Sequence, residues 1–353
     1  MSQTESHRPP MRCLKKESPA VGLVLTTARK PRPKAGEVLI RVTHAGICGT
    51  DVHIYNWDSW SQGRLRPPLI TGHEFVGRVE ALGDGVEGLH IDQRVSAEGH
   101  ITCGHCQYCR TGQGHICQNV KIIGVDCDGC FAEYLVMPQS NVWPVDSRIP
   151  DEHAAIFDPL GNAMHTVTSE SVAGKSVLIV GAGAIGLFAI PIARSMGAST
   201  IVVAEPNAFR GDLAKTLGAD IVINPAKDKI SEVVHREVDQ NGVDVMLEMS
   251  GHPEGFREGL RSLRGAGTAV LLGIPSEPLA IDWSNDVIFK AAKIIGVNGR
   301  RMFDTWYQSQ RFLISHGSTI DPVLTHRMDL SKYEDGFALL RAGNAGKIIL
   351  QIA

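Results

Sequence analysis

Apolar and polar residues alternate in short runs along the first part of the chain, and glycine and proline separate the runs. Such runs predict half-buried antiparallel strands, because successive side chains of a strand point to opposite faces of its sheet. The alternation is clearest at 37–43, 75–80 and 131–136. We therefore expect a mainly β domain in this part of the chain.

The pattern changes near residue 160, where β-branched runs begin to alternate with longer stretches of helical periodicity. This alternation predicts βαβ units and hence a doubly wound parallel sheet, an α/β architecture. The predicted strands are 177–180, 201–204, 221–223, 243–247, 269–272 and 294–297.

The end of the chain has helical patterns at 303–316 and 333–341 and a strand pattern at 347–352. We expect this tail to pack back on the β domain. A length of 353 residues is ample for two separate cores. The predicted division is a flexible tail at 1–10, a β domain from 11–160 and 301–353, and an α/β domain at 161–300.

Composition and charge narrow the possible partners. The net charge of −3 provides no long-range positive field, which argues against nucleic acid and anionic membranes. Residues 176–193 approach the roughly 20 apolar residues of a membrane helix, but they include three glycines and a proline. A buried strand and helix is the favoured interpretation. We expect a small-molecule substrate and no membrane association.

The eight cysteines indicate a reducing compartment, the cytoplasm, rather than a disulfide framework. The chain opens with a polar stretch rather than a secretion signal, and a domain of this size needs no covalent staples. Thiolates are then available for metals. Cys13, Cys127 and Cys130 are interpreted as packing residues, because no second pair at zinc spacing accompanies the last two.

A glycine motif follows the strand predicted at 177–180. Gly181, Gly183 and Gly186 form G-x-G-x-x-G, which brings a turn and a helix N-terminus to a dinucleotide pyrophosphate. Glu205 lies nineteen residues further on, where a carboxylate meets the ribose hydroxyls and repels a 2′-phosphate. Arg210 could instead pair with that phosphate. We weigh Glu205 more heavily, so a Rossmann sheet that binds NAD is predicted.

Four cysteines lie within fifteen residues, as Cys103-x2-Cys106-x2-Cys109-x7-Cys117. Four thiolates at this spacing are typical of a tetrahedral zinc site with no open position, so its role should be structural. Chance clustering and a redox pair are the alternatives. The predicted zinc lobe covers about 100–118.

A second group of metal-binding residue types is sparser. Cys48, Thr50 and His53 lie in one short segment, and His73-Glu74 follow in another. Each fragment alone is weak evidence, because a single histidine or cysteine is more often a core or surface residue. Beside a closed zinc site and a dinucleotide fold, the fragments indicate a catalytic metal.

In this order the motifs resemble the zinc-containing medium-chain dehydrogenase family, and the resemblance extends from Met11 over nearly the whole chain. It implies a GroES-like catalytic domain built from both chain ends, with the Rossmann domain inserted. It also implies two zinc ions per chain, one catalytic and one structural. Relatives of this kind are commonly homotetramers, so a homotetramer is expected.

The resemblance also implies residue roles. Cys48 and His73 would hold the catalytic zinc with Glu74 as a further or alternating ligand, while Thr50 and His53 would relay a proton. Asp158 stands where many relatives have glutamate; being shorter, it suits a relay role better than coordination. The remaining positions where relatives bind the cofactor are Ile185, Leu272, Gly273, Ile274, Val297 and Asn298. Asn298 departs from the aromatic residue expected there.

The predicted reaction is the zinc-dependent oxidation of a secondary alcohol by NAD+. The residues define the reaction type, whereas the substrate follows only from resemblance, which favours an amino-acid secondary alcohol. A polyol such as sorbitol or 2,3-butanediol is the nearest alternative. A quinone-reductase-like or regulatory relative without zinc chemistry is disfavoured, because Cys48, His73, Thr50 and His53 are all present.

Overall fold

The structure is a computed structural model that describes residues 10–353. The predicted flexible tail at 1–10 lies outside the described residues except for Pro10, which begins the first strand. The chain forms two compact units. Of the described residues, unit one comprises 10–158, 326–342 and 347–353, and unit two comprises 159–325 and 343–346.

Unit one is mainly β. Elements are numbered in chain order through the whole protein. Its strands are β1 (Pro10–Lys16), β2 (Val24–Arg29), β3 (Glu37–Ile47), β4 (Leu69–Ile70), β5 (Glu74–Leu82), β6 (Arg94–Ala97), β7 (His100–Ile101), β8 (Lys121–Ile122), β9 (Tyr134–Pro138), β10 (Val142–Pro144), β17 (His326–Asp329) and β18 (Ile348–Gln351). Its helices are α1 (Gly49–Asn56), α2 (Ser59–Arg64), α3 (Gln107–Arg110), α4 (Asp151–Ala154) and α11 (Tyr333–Arg341), with short 3-10 turns at Gly114–Ile116, Gln139–Asn141 and Leu330–Lys332.

The main sheet of unit one is organised around β3. It has seven strands in the order β10-β6-β5-β3-β18-β17, with β9 also paired to β3. The strand continues four residues beyond the predicted end at 43, because Ala45, Gly46 and Ile47 are buried between β5 and β18. This extension brings Cys48 to the end of a central strand.

The predicted strand at 131–136 begins later than expected, at Tyr134. The residues before it contact β1 instead: Leu14 N–H donates to the Phe131 carbonyl at 2.7 Å, and Cys13 forms an isolated bridge with Ala132. The chain therefore pairs first with one sheet and then with another. An apolar pattern alone does not mark such a change of partner.

Unit two is the predicted doubly wound α/β domain. Its strands β11 (Ser176–Val180), β12 (Thr200–Ala204), β13 (Ile221–Ile223), β14 (Val243–Glu248), β15 (Leu263–Leu271) and β16 (Lys293–Gly296) are all parallel, in the order β13-β12-β11-β14-β15-β16. Its helices are α6 (Ala184–Ser195), α7 (Ala208–Thr216), α8 (Ile230–Glu237), α9 (Pro253–Ser262) and α10 (Asp304–His316), with a π-helix at Trp283–Ile288 and a 3-10 helix at Gly317–Val323. Helix α5 (Phe157–Thr168) crosses the boundary between the units.

Three segments expected in the β domain belong to unit two: 159–160, 301–325 and 343–346. The 3-10 helix Gly317–Val323 packs against α6, where Ile320 and Val323 are fully buried. The apolar pattern correctly indicated buried helical segments here but carried no information on which core buries them.

The apolar stretch at 176–193 forms buried strand β11 and most of α6. Across residues 10–353, no helix is both long and apolar enough to cross a membrane.

Candidate functional site

The four cysteines of the predicted lobe converge on one point. Their Sγ atoms all lie within 4.8 Å of one another, with 3.5 Å between Cys106 and Cys109 and between Cys103 and Cys117. Tetrahedral Zn–S bonds of about 2.3 Å place sulfurs roughly 3.8 Å apart. The four thiols therefore fit a zinc ion and would fill all four positions of its tetrahedral coordination, as a structural site requires.

Backbone N–H groups lower the pKa of two of these thiols and so favour the thiolate form that binds a metal. Those of His105 and Cys106 lower the pKa of Cys103 to about 6, and that of Cys109 lowers the pKa of Cys106. Burial instead raises the pKa of Cys109 to about 11, so its thiolate depends on a bound cation.

The second predicted group also comes together, in unit one. Donor atoms of Cys48, His73 and Glu74 lie within 4.8 Å of one another. Cys48 follows β3 and precedes α1. His73 directly precedes β5 and Glu74 is its first residue, and β5 pairs with β3 in antiparallel register. Gly46 opposes Glu74, and a Cβ at Gly46 would approach Glu74 Oε2 to 2.2 Å. Only glycine leaves this space for the carboxylate.

Asp51 adds a further carboxylate to this buried site, although burial raises its pKa to about 6. Its Oδ2 accepts from Cys48 N–H at 2.9 Å, and its Oδ1 lies 3.8 Å from His73 Nδ1. Both Asp51 Oδ1 and His73 Nδ1 are buried without a hydrogen-bond partner. Although burial opposes protonation, the charges of Asp51 and Cys48 raise the pKa of His73 to about 10. The donor types present, a thiol, an imidazole and a carboxylate, are those that bind a divalent cation such as zinc.

Lys347, which sequence reasoning missed, pairs with Glu74. Its Nζ lies 2.9 and 2.8 Å from the two carboxylate oxygens and donates to the Ile47 carbonyl at 2.9 Å. Both side chains are buried, and the charge of Glu74 outweighs desolvation and raises the pKa of Lys347. The ion pair engages both Glu74 oxygens, which suits an alternating rather than a permanent ligand.

The predicted relay residues lie around Cys48 and along α1. Thr50 Oγ1 is 3.8 Å from Cys48 Sγ. The His53 side chain is 62% exposed and hydrogen-bonds through Nδ1 to Asp58. Asp158 is buried at the start of α5, and its charge contributes to the raised pKa of His73. It lies outside the group of three converging donors.

The glycine motif forms the predicted turn between β11 and α6. Gly181 has a φ of 93°, and a Cβ at Gly186 would lie 2.0 Å from the Gly181 carbonyl oxygen. The first glycine is therefore needed for backbone conformation and the third for close packing. A Cβ at Gly183, the N-cap of α6, would meet nothing within 4 Å. The helix N-terminus thus opens onto free space suited to a pyrophosphate.

Glu205 lies at the carboxyl end of β12, as predicted. Its carboxylate accepts from Ala182 N–H at 2.8 Å, from Asn207 N–H at 2.9 Å and from Arg210 at 2.7 Å. Arg210 is thus paired with Glu205. Both residues line a cavity of about 590 Å³ in unit two, together with Gly181 and Gly183.

The other predicted cofactor positions lie elsewhere in unit two. Leu272, Gly273 and Ile274 follow β15, Val297 and Asn298 follow β16, and Ile185 lies in the first turn of α6. None of these six is part of the cavity wall. Gly273 has a specific packing role, because a Cβ there would lie 2.2 Å from Glu248 Oε2.

A Rossmann sheet, a closed four-cysteine group and a Cys-His-Glu group together define a zinc-dependent dehydrogenase. Comparison with known proteins agrees. The alcohol dehydrogenase GroES-like domain family matches residues 34–147, and the zinc-binding dehydrogenase family matches residues 184–315. The L-threonine 3-dehydrogenase of Pyrococcus abyssi is 47% identical to this chain, over 97% of this chain and 99% of its own length.

Solved structures share the whole architecture. A short chain alcohol dehydrogenase of Escherichia coli complexed with NADH has a TM-score of 0.88 at 28% identity, covering 97% of this chain and 99% of its own. A protein of Sinorhizobium meliloti assigned as a zinc-binding dehydrogenase and bound to NADP has a TM-score of 0.89 at 27% identity, covering 98% of this chain and all of its own. The chain belongs to the zinc-containing medium-chain alcohol dehydrogenase family.

Family membership confirms the resemblance inferred from the motifs, the GroES-like and Rossmann architecture, and the class of enzyme. The four-cysteine group fits a structural zinc and the Cys48, His73 and Glu74 group fits a catalytic zinc.

Proposed function

We propose that the protein oxidises the 3-hydroxyl of L-threonine with NAD+, forming 2-amino-3-oxobutanoate and NADH. The observation that carries the proposal is the end-to-end similarity to L-threonine 3-dehydrogenases, at 44–47% identity over 96–97% of the chain.

Different residues of unit one are proposed to carry out the successive proton transfers. A zinc ion held by Cys48 and His73 would supply a Lewis acid for the substrate hydroxyl, and a bound NAD+ would supply the hydride acceptor. Thr50, next to Cys48, takes the hydroxyl proton, and the exposed His53 passes it to solvent. Histidine suits this step because its ordinary pKa is about 6.5.

Asp158 is proposed to act electrostatically or as an alternative proton acceptor, rather than as a zinc ligand. It is buried and close enough to influence His73, but it lies outside the three-donor group. Its side chain is also one methylene shorter than the glutamate common at this position in relatives.

NAD is the proposed cofactor in preference to NADP. Glu205 places a buried carboxylate in the cavity wall and holds the Arg210 guanidinium. The arginine is therefore already neutralised, and a 2′-phosphate here would meet a carboxylate.

A homotetramer is the proposed assembly, formed in part through the edge of unit two's sheet. Strand β16 ends the sheet, and on its outer side no described strand pairs with it. Four large apolar side chains nearby are strongly exposed: Ile274, Trp283, Ile288 and Phe289. An unpaired edge flanked by exposed apolar residues suits a second copy of the same chain.

The cytoplasm is the proposed location. All eight cysteines are free, and four of them form the group suited to zinc. Such thiols are maintained in reducing compartments.

The deciding experiment is NADH formation by the zinc-loaded protein with L-threonine, sorbitol and 2,3-butanediol compared at equal concentrations. We expect kcat/KM to be highest for L-threonine, with two zinc ions per chain by metal analysis. A higher value for either polyol would replace the substrate assignment. One zinc per chain with no turnover would favour a nucleotide-binding relative without zinc chemistry.

A further inference from the structure

His53 is held by a carboxylate from the next helix. Its Nδ1 hydrogen-bonds to Asp58 Oδ2. The ring edge also faces Trp60, with centroids 6.2 Å apart and the planes at 61°. The imidazole is therefore oriented on two sides although it lies near solvent.

The turn between α1 and α2 explains why Asp58 reaches back to His53. Helix α1 ends at Asn56, and the next residue, Trp57, is its C-cap, with a left-handed φ of 54° and ψ of 47° that reverse the chain. Asp58 is the N-cap of α2, and its Oδ1 accepts from Ser61 N–H at 3.0 Å. The Gln62 side chain donates to the Trp57 carbonyl at 2.9 Å and ties the turn together. One carboxylate oxygen caps α2 and the other is left for His53.

The hydrogen bonds keep Asp58 ionised. Burial opposes ionisation, but the bonds from Ser61 N–H and from His53 outweigh it and lower the pKa of Asp58. An ionised carboxylate accepts only, so Nδ1 must carry a proton to make this bond. In the neutral imidazole the free lone pair then belongs to Nε2.

The other charged groups packed around this segment contact different residues. Lys16 Nζ lies 5.0 Å from the Trp57 ring centroid, and the Arg341 guanidinium lies 5.0 Å from that of Tyr55. Asp51 on α1 is buried against Cys48, and Arg64 at the end of α2 pairs with Asp126. In the part of the chain that the structure describes, Asp58 is the ionisable group bonded to His53.

We propose that Asp58 is a positioning residue for proton release: it holds His53 in the tautomer whose Nε2 accepts the proton that Thr50 passes on, and it stabilises the resulting imidazolium. One proton moves from the substrate to water, and the relay residues return to their starting protonation states. The substrate hydroxyl proton displaces the Thr50 proton to Nε2, and the imidazolium releases its Nε2 proton to water while Asp58 remains ionised. The inference rests on the relay role of His53 in the proposed function.

Asp58→Asn separates this role from helix capping, because asparagine caps a helix as well as aspartate does. The variant should keep its melting temperature and both zincs. The NMR titration of His53, assigned by its loss in His53→Gln, should move to lower pH, because the imidazolium loses the carboxylate bonded to its Nδ1. The pH at which kcat/KM rises should move the same way, and the plateau should fall about tenfold.

A second comparison tests whether Asp58 acts through His53. Adding Asp58→Asn to His53→Gln should cause no further loss of kcat. Asp329→Asn is a matched control, because Asp329 caps a 3-10 helix by accepting from Ser331 N–H. It should leave the His53 titration and the pH profile unchanged.

Two results would overturn the proposal: an unchanged His53 titration in Asp58→Asn, or an equal loss of kcat in the wild-type and His53→Gln backgrounds. Either would reduce Asp58 to a helix cap. The titration needs no substrate, so it decides the contact even if L-threonine proves not to be oxidised.

Discussion

Glu205 has two roles: it holds the glycine turn after β11, and we expect it to contact the ribose of the bound cofactor. It accepts from the backbone of the glycine loop at Ala182, from Asn207 and from the Arg210 guanidinium. These bonds leave the carboxylate buried at the cavity wall, so its charge acts at short range and in low dielectric. We therefore expect the choice between NAD and NADP to depend on the Glu205–Arg210 pair.

Replacing Glu205 with serine should shift that choice. Arg210 would be freed to pair with a 2′-phosphate, and a charge-assisted hydrogen bond contributes about 1.5–3 kcal/mol. We expect the ratio of kcat/KM for NAD to that for NADP to fall by roughly 10- to 100-fold. Glu205→Gln keeps the size and an acceptor for the backbone, so it shows how much depends on charge alone. An unchanged ratio in Glu205→Ser would remove Glu205 from cofactor selection.

At the residue level, local spacing predicted the positions of the zinc-lobe cysteines, which converge, and of Glu205 at the end of β12. Asp51 was missed although a local signal exists, since it lies three residues after Cys48, where an N3 side chain caps a helix start. Lys347 had no such signal, because 273 residues separate it from Glu74 and only the folded sheet places β18 and β5 on the two sides of β3.

At the scale of elements, Lys16 shows a limit of pattern analysis. It follows Lys15 and looks like part of a solvated charged edge, yet it is fully buried. Its Nζ donates to the Gly22 carbonyl at 3.0 Å and contacts the Tyr55 carbonyl at the end of α1. Burial lowers its pKa to about 8. The lysine fixes the helix that carries Thr50 and His53, a role that only tertiary contacts reveal.

The zinc lobe is an element with almost no core of its own. Helix α3 has four residues, and between 102 and 117 the buried residues are the ligands Cys106 and Cys117 themselves. Apolar packing therefore contributes little to its stability. A structural zinc can supply on the order of 10 kcal/mol. The metal should be what keeps this segment folded.

Cys109→Ser tests that dependence. The variant should retain one zinc per chain and have a lower melting temperature, because three thiolates cannot complete a tetrahedral site. Its segment 103–117 should also become sensitive to limited proteolysis. Cys48→Ser is the matched control: it should lose turnover and the catalytic zinc but leave the lobe resistant. Two zincs and unchanged proteolysis in Cys109→Ser would contradict a structural role for the lobe.

At the scale of the whole molecule, the chain returns to its first unit at the end. Strand β18 pairs antiparallel with β3 and parallel with β17, so the last residues complete the sheet that holds Cys48 and Glu74. The return was predictable from the terminal helix and strand patterns. The exact boundary was not, because the apolar residues of 301–325 would suit either core and only packing against α6 assigns them to unit two.

The edge strand β16 and the exposed apolar residues beside it bear on assembly. Phe289 is 79% exposed and Ile288 is 65% exposed. Two adjacent large apolar side chains with this exposure form an apolar patch of the kind that marks an interaction surface. In a two-fold interface each residue is buried twice, once from each copy. A single substitution there consequently has a doubled effect on association.

Phe289→Asp should therefore weaken the assembly more than an equally drastic substitution of an exposed residue outside the proposed interface. Burying a phenylalanine contributes about 1.5–3 kcal/mol, so losing two per interface and burying two carboxylates should raise the dissociation constant at least roughly 100-fold. Sedimentation velocity across a concentration series measures this directly. Val21→Asp is the control, since Val21 is 69% exposed in unit one, far in sequence from β16, and should leave the assembly intact. If Phe289→Asp sediments like the wild-type protein, the copies associate through another surface and this edge remains open in the assembly.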